Sequence, residues 1–352
     1  MIAAVYLLLR RGNAFAPGVT PPLRLRRWAA SFFAAMALGH VLWYFFYIYS
    51  CDIRSVSYVV VAVVDCVGML ITIAGTLLAM LQDRKRPVWP IVVALVPYVV
   101  IGALYIAFPN DIFLNIAIVY LLLLYAIFTI YMVFAVRRYG RWLNDNYADL
   151  ENKKVWLSQT VSLVCLLLFI LYALVGIDTI QIYILHFGEL VAFGLLLWRV
   201  ETLPQLENSS MEAVFFESTP EAAQEKNLPT RKRQPLSIPS NIEELLDELC
   251  VNTQLYLQHD LSLLQLAQVL GINRFYLSQY FSRQGTTYNA YINDLRIDHF
   301  IRLYREATAA HQSVTAQQLA RDSGYRSYST FGLAFKQRTG QSVTAWMRNT
   351  GE

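Results

Sequence analysis

Arg274, Phe275, Ser278 and Gln279 fall on one face of a short helix, with Leu277 and Phe281 on the other. A cation, a hydroxyl, an amide and an aromatic edge on one rigid helix are groups that a DNA major groove admits and that base edges can meet. The elements that hold this face lie just upstream. Leu263, Leu266, Ala267 and Leu270 recur at helical spacing. Gly271 marks a turn where the lack of a Cβ costs least, and Asn273 suits the N-cap of the following helix. Leu261 to Ser282 thus predicts two short helices joined tightly.

The plan recurs. Val314 to Lys336 predicts a helix around Leu319 and Ala320, a turn at Gly324, an N-cap at Ser327 and a helix with Phe331 and Phe335 inward. Tyr288 to Glu306 predicts a longer spacer helix with Tyr291, Ile292, Leu295, Phe300 and Leu303 as its apolar side. The LAQVLGIN turn, Leu277 with Phe281, the LRI at 295–297, the SGYRS turn and FKQRTGQSV from Phe335 to Val343 carry a resemblance. Over about the last third of the chain they resemble the AraC-type DNA-binding domain. One such pattern is weak evidence, whereas two in order with the spacer and the closing FKxRTG are strong.

The resemblance implies double-stranded DNA as partner, transcription regulation as function and a homodimer on DNA. It sets Phe275, Ser278 and Gln279 against base edges, where an amide can pair with adenine and an aromatic ring can touch a thymine methyl. Arg274 and Arg283 are better placed for phosphates. In the second copy Arg326, Ser327, Tyr328, Ser329 and Lys336 match the DNA-facing side. For Tyr328, core packing is an equal alternative. Gly332 and Leu333 stand where the family commonly has a small polar residue and an arginine. The second helix is therefore expected to serve backbone contacts and DNA shape.

Residues 1–200 have a different character. The chain has 352 residues, 56% of them hydrophobic, with a mean hydropathy of +0.39, too apolar for an ordinary soluble protein. The excess lies in six runs long enough to cross a bilayer: Trp28–Tyr49, Tyr58–Leu81, Val88–Phe108, Ile112–Val136, Val155–Leu174 and Ile180–Val200. Ile2–Leu9 is too short to span alone; it is either the inner end of a helix begun upstream or a segment resting in the interface. Pro97 and Gly102 are candidates to interrupt one span. Thirteen Lys and Arg lie in one set of loops and only Arg54 in the other, which places the basic loops and the C-terminal part in the cytoplasm. No cleavable signal peptide is expected.

Within the spans, His40, Asp65, His186 and Glu189 sit at similar depths, about 9–14 Å from the outer surface at the helical rise. Ionisable groups at such depth mark a functional site by default. Two readings stand: a polar pocket in the outer half of the bundle, taking a small or lipophilic ligand, or interhelical glue. Asp65, Gly68, Thr72 and Gly75 share one small, polar face suited to close helix contact. Metal binding has little support beyond the His186/Glu189 spacing, and no metal or cofactor is expected. The four cysteines, Cys51, Cys66, Cys165 and Cys250, show no paired spacing. No Ser/His/Asp set, phosphate loop or HExxH argues for an enzyme.

The expectation is an all-α chain in three parts. Residues 1–200 form a polytopic transmembrane helix bundle of six full spans plus a partial N-terminal one, in the lipid bilayer of the cytoplasmic membrane. Residues 201–240, rich in proline, are a flexible linker reaching about 35 Å. Residues 241–352 are the soluble double helix-turn-helix domain, opened by an acidic amphipathic helix over Asn241–Cys250. The bundle is read as anchor and sensor. The alternatives are a pure anchor, or a transporter- or receptor-like bundle with DNA binding as secondary output.

Overall fold

The computed structural model describes residues 1–10, 12–49, 56–151, 153–175, 179–206 and 241–350. Every regular element among them is a helix. The chain divides into two compact units. One is Met1–Tyr139 with Asn152–Ser218; the other is Gly140–Glu151 with Thr219–Glu352.

The first unit contains α1 (Ile2–Leu9), α2 (Leu23–Tyr49), α3 (Val56–Met80), α4 (Trp89–Ala107), most of α5 (Asp111–Asn146), α6 (Trp156–Val175) and α7 (Thr179–Thr202). Four described helices are long and apolar enough to cross a membrane: Leu23–Phe46, Val56–Met80, Trp89–Ala107 and Asp111–Asn146. They cover the first four expected spans. The fifth and sixth expected spans fall on α6 and α7, where the side chains of most residues from 165 to 186 lie outside the described residues.

Small residues allow close contacts between these helices, the kind of packing that serves association where apolar surface alone gives no drive. A Cβ on Gly75 would overlap the ring of Trp28, and one on Gly39 would overlap the Asp65 carboxylate. One on Gly102 would come within 2.8 Å of Val63. The expected interruption at Pro97 and Gly102 does not occur. α4 runs unbroken through Pro97, and Gly102 instead admits α3.

At one end of this unit polar groups are buried together. Glu201, fully buried, pairs with Arg10 and accepts from the Tyr6 hydroxyl. Asn13 donates to the Glu201 and Val19 carbonyls at 2.8 and 3.0 Å. Gln82 donates to the Pro204 carbonyl and accepts from the Leu206 amide, both at 2.9 Å. α1 packs on α2, with Ala4 and Leu7 buried. The expected linker over 201–240 is corrected at its start. Leu203 and Leu206 are buried, so residues 201–206 belong to this unit despite their composition. The remainder of the expected linker, 207–240, lies outside the described residues.

In the second unit, α8 (Ile242–Leu246) continues as a wider π turn over Asp247–Val251. Then come α9 (Leu263–Val269), α10 (Arg274–Arg283), α11 (Tyr288–Ala309), α12 (Ala316–Asp322), α13 (Tyr328–Thr339) and α14 (Val343–Thr350). Hydroxyls and amides start these helices. Ser262 and Gln265 form a capping box, and Asn273, Thr287, Thr315 and Ser327 each accept a backbone N–H of the first turn. Gly324 is required twice over: its φ is +88°, and a Cβ would stand 2.8 Å from the Leu257 carbonyl.

Two apolar clusters result. One joins Ile242, Leu246 and Cys250 to Leu266, Leu277, Phe281 and Ile292; the other joins Phe300 to Leu319, Phe331, Phe335 and Val343. The expected helix over 241–250 packs on the first helix-turn-helix through this first cluster. Burial pushes the Cys250 thiol up to about 11, so it stays protonated and unreactive. Ala148, in the stretch 140–151, is 1% exposed in the same cluster.

Candidate nucleic-acid interface

The first reading helix, α10, begins at its Asn273 cap, whose side-chain oxygen takes the Phe275 amide at 2.8 Å. Leu277 and Phe281 face the core. Phe275 is 55% exposed, an aromatic ring held in the open by a helix anchored on its other side. Ser278 is half-buried, and Arg283 is exposed at the last turn. Gln279 is only partly accessible: its amide oxygen is buried and has no hydrogen-bond partner among the described residues. Arg274 is engaged within the unit, donating from Nε and Nη2 to the Asn146 side-chain oxygen at 3.1 and 2.5 Å.

The second reading helix, α13, is capped by Ser327, which takes the Thr330 amide at 3.3 Å. Phe331 and Phe335 are fully buried, while Ser329 and Lys336 are exposed. Tyr328 is 41% exposed, with its ring 5.8 Å from that of Phe331. It thus packs on the core and faces solvent at once, so both of its expected roles are geometrically open. Arg326 pairs with Asp260. Leu333 is 64% exposed, which leaves an apolar group on this face.

The residue that joins the two halves was not marked by any exposed chemistry. Arg296, 1% exposed on the spacer helix α11, donates to the Tyr256 and Gln258 carbonyls, each at 2.7 Å. Its guanidinium lies 5.5 Å from the centre of the Tyr325 ring. One side chain thus ties the turn before the first helix-turn-helix to the turn inside the second. Its position in the LRI triplet was visible in the sequence; its burial was not, because a long cation reads as surface. Burial lowers its pKa from the ordinary value, an effect without consequence for a guanidinium near neutral pH.

His299, also on α11, accepts at Nδ1 from Arg302 at 2.8 Å and meets the Tyr256 hydroxyl at 3.0 Å. Burial, and then the Arg302 charge, lower its pKa; Glu306 and Asp322 oppose this. The unfolded chain therefore binds a proton more readily than the folded one. This contribution to stability is full above the unfolded value, about 6.5, and is lost as pH falls through the lower folded value. The melting temperature of the second unit is expected to fall between pH 7.5 and 5.5. His299→Gln should flatten that dependence, and an equally steep fall in the variant would place the cause elsewhere.

Of the four groups expected to form a polar pocket in the bundle, His40 and Asp65 have described side chains. His40 is exposed, and its ring bonds to the Met36 carbonyl of its own helix at 2.7 Å. Asp65 accepts from the Trp43 indole at 2.9 Å and lies against Gly39. Thr72 turns its hydroxyl to the Gly68 carbonyl. The side chains of His186 and Glu189 lie outside the described residues. Among the described residues no group of three or more His, Cys, Asp or Glu is gathered as a metal site would need.

Residues 266–349 match the model of a family described as a helix-turn-helix domain. No curated protein and no solved structure matches the chain.

Proposed function

We infer that this chain, whose residues 266–349 are an AraC-type helix-turn-helix domain, regulates transcription by binding DNA from a place at the membrane. The DNA-binding part of that reading rests on one arrangement: two capped reading helices in tandem on a single spacer helix. Phe275, Ser278 and Gln279 are assigned to base edges and Arg274 and Arg283 to phosphates. The second unit contributes Arg326, Ser327, Tyr328, Ser329 and Lys336, chiefly to the backbone. Leu333 on its exposed face supports that division, because an isobutyl group has no hydrogen bond to offer a base.

The membrane part is supported by the four apolar helices and by the thirteen cations of the inward loops. With this orientation the DNA-binding unit is on the side of the chromosome. The bundle acts as sensor of a small or lipophilic signal, with His40, Asp65, His186 and Glu189 as its polar groups; the aromatic side chains around Trp43 supply an apolar wall. A dimer on DNA is part of the same proposal.

The test is salt-dependent binding of purified full-length protein, in lipid nanodiscs, to genomic fragments. Arg283→Ala is expected to weaken binding to all sequences by similar factors and to reduce the slope of log affinity against log salt by about 1. A variant that alters sequence preference instead would move Arg283 to base reading. Failure of the wild type to bind any DNA with a salt slope would overturn the assignment.

A further inference from the structure

Residues 140–151 are remote in sequence from the DNA-binding domain, yet they are part of its unit. They comprise the last turns of α5 and the start of the connection to α6. Tyr147 forms an antiparallel bridge with Ser262, and the Ala148 amide donates to the Leu261 carbonyl at 3.3 Å. The Asn289 amide clasps the Tyr147 and Ala148 carbonyls at 3.1 and 2.7 Å. Ala148 is sealed into the first apolar cluster. This is a built contact with backbone, side-chain and core components.

Its position is the informative part. Asn146 holds Arg274, the first residue of the first reading helix. Glu151 takes the Thr330 hydroxyl, in the first turn of the second reading helix, at 3.5 Å. One short segment thus reaches the N-terminal ends of both reading helices, the ends whose dipoles favour phosphate. Its charge has the matching sign. From Trp142 to Glu151 the chain carries Asp145, Asp149 and Glu151 and no Lys or Arg, inside a loop otherwise rich in cations. Asp149 is buried and close enough to raise the pKa of Arg296.

We propose that residues 142–151 are an acidic intramolecular lid, which competes with the DNA backbone for Arg274 and the start of α13 and holds the unit in a low-affinity state. The inference rests on the DNA-binding reading above. It supplies that reading with its regulation: the lid is continuous with α5, so a stimulus that shifts α5 lengthwise draws the lid away. A stimulus acts on this equilibrium only as far as it distinguishes the two lid positions.

The test uses full-length protein in nanodiscs and a duplex oligonucleotide selected from a random pool on the wild type. Paired positions across a bridge are near enough for a disulfide, so Tyr147→Cys with Ser262→Cys gives a lid that can be locked and released. Oxidised, with the crosslink verified by peptide mapping, this variant is expected to bind the duplex at least tenfold more weakly than the same sample reduced. A second variant, Asn146→Ala with Glu151→Gln, is expected to bind about tenfold more tightly than the wild type. Equal affinity of the oxidised and reduced forms, or unchanged or weaker binding by the second variant, would overturn the lid. Absence of duplex binding by the wild type and the reduced variant alike would overturn the DNA reading itself.

Discussion

Replacing Arg296 with alanine is expected to disable both reading helices at once, although its side chain is buried. The substitution removes two charge-assisted hydrogen bonds of 2.7 Å and leaves the Tyr256 and Gln258 carbonyls facing a cavity. Each such bond contributes about 1.5–3 kcal/mol, and an orphaned buried acceptor costs about 1–3 kcal/mol. The two bonds alone make the loss about 3–6 kcal/mol, against a total of about 5–15 kcal/mol for an ordinary domain. Arg296→Lys should recover little of it, because a single ammonium cannot reproduce the planar fork. The measurement is thermal unfolding of the second unit followed beside DNA affinity. If Arg296→Ala melts like the wild type, the guanidinium is not the tie between the two halves.

The second large effect belongs to the bundle. Glu201 is 0% exposed, and its partner Arg10 nearly so. Glu201→Ala would leave the Arg10 charge buried and uncompensated, a change that costs about 3–5 kcal/mol. At this size the melting temperature should fall by about 10 °C. Removing both charges together is a different matter, since an apolar pair of similar volume spares the desolvation of two ions. Arg10→Met with Glu201→Leu is therefore expected to melt close to the wild type. If the single and double variants lose equal stability, the interaction is packing by the side-chain stems and the charges are incidental.

The parts of this fold that could be read from the chain are those whose cause is local. Asn273 and Ser327 cap their helices because a short oxygen next to free N–H groups suffices, whatever surrounds it. Gly271, at φ +66°, and Gly324 are legible for the same reason. The helical spacing of Leu277 with Phe281 and of Phe331 with Phe335 reports which face is buried. Position along a helix is also local, and Asp65 lies within α3. It could not give direction around the helix axis. His40 consequently turned out to bond to its own helix, and Asp65 to Trp43. Nor could spacing reveal that Arg296 is buried, that Leu203 and Leu206 fold back, or that Ala148 completes a core. Each of these depends on a surface made by distant residues. Ala148 is the clearest case, since alanine in a connecting loop carries no chemistry of its own.

That borrowed alanine also sets an order of events during synthesis. Ala148 reaches the ribosome exit 141 residues before Asn289, which clasps its carbonyl. At about 5–20 residues per second the interval is roughly 7 to 28 seconds. Throughout it the segment waits without its binding surface, while the chain that will make that surface is still being translated.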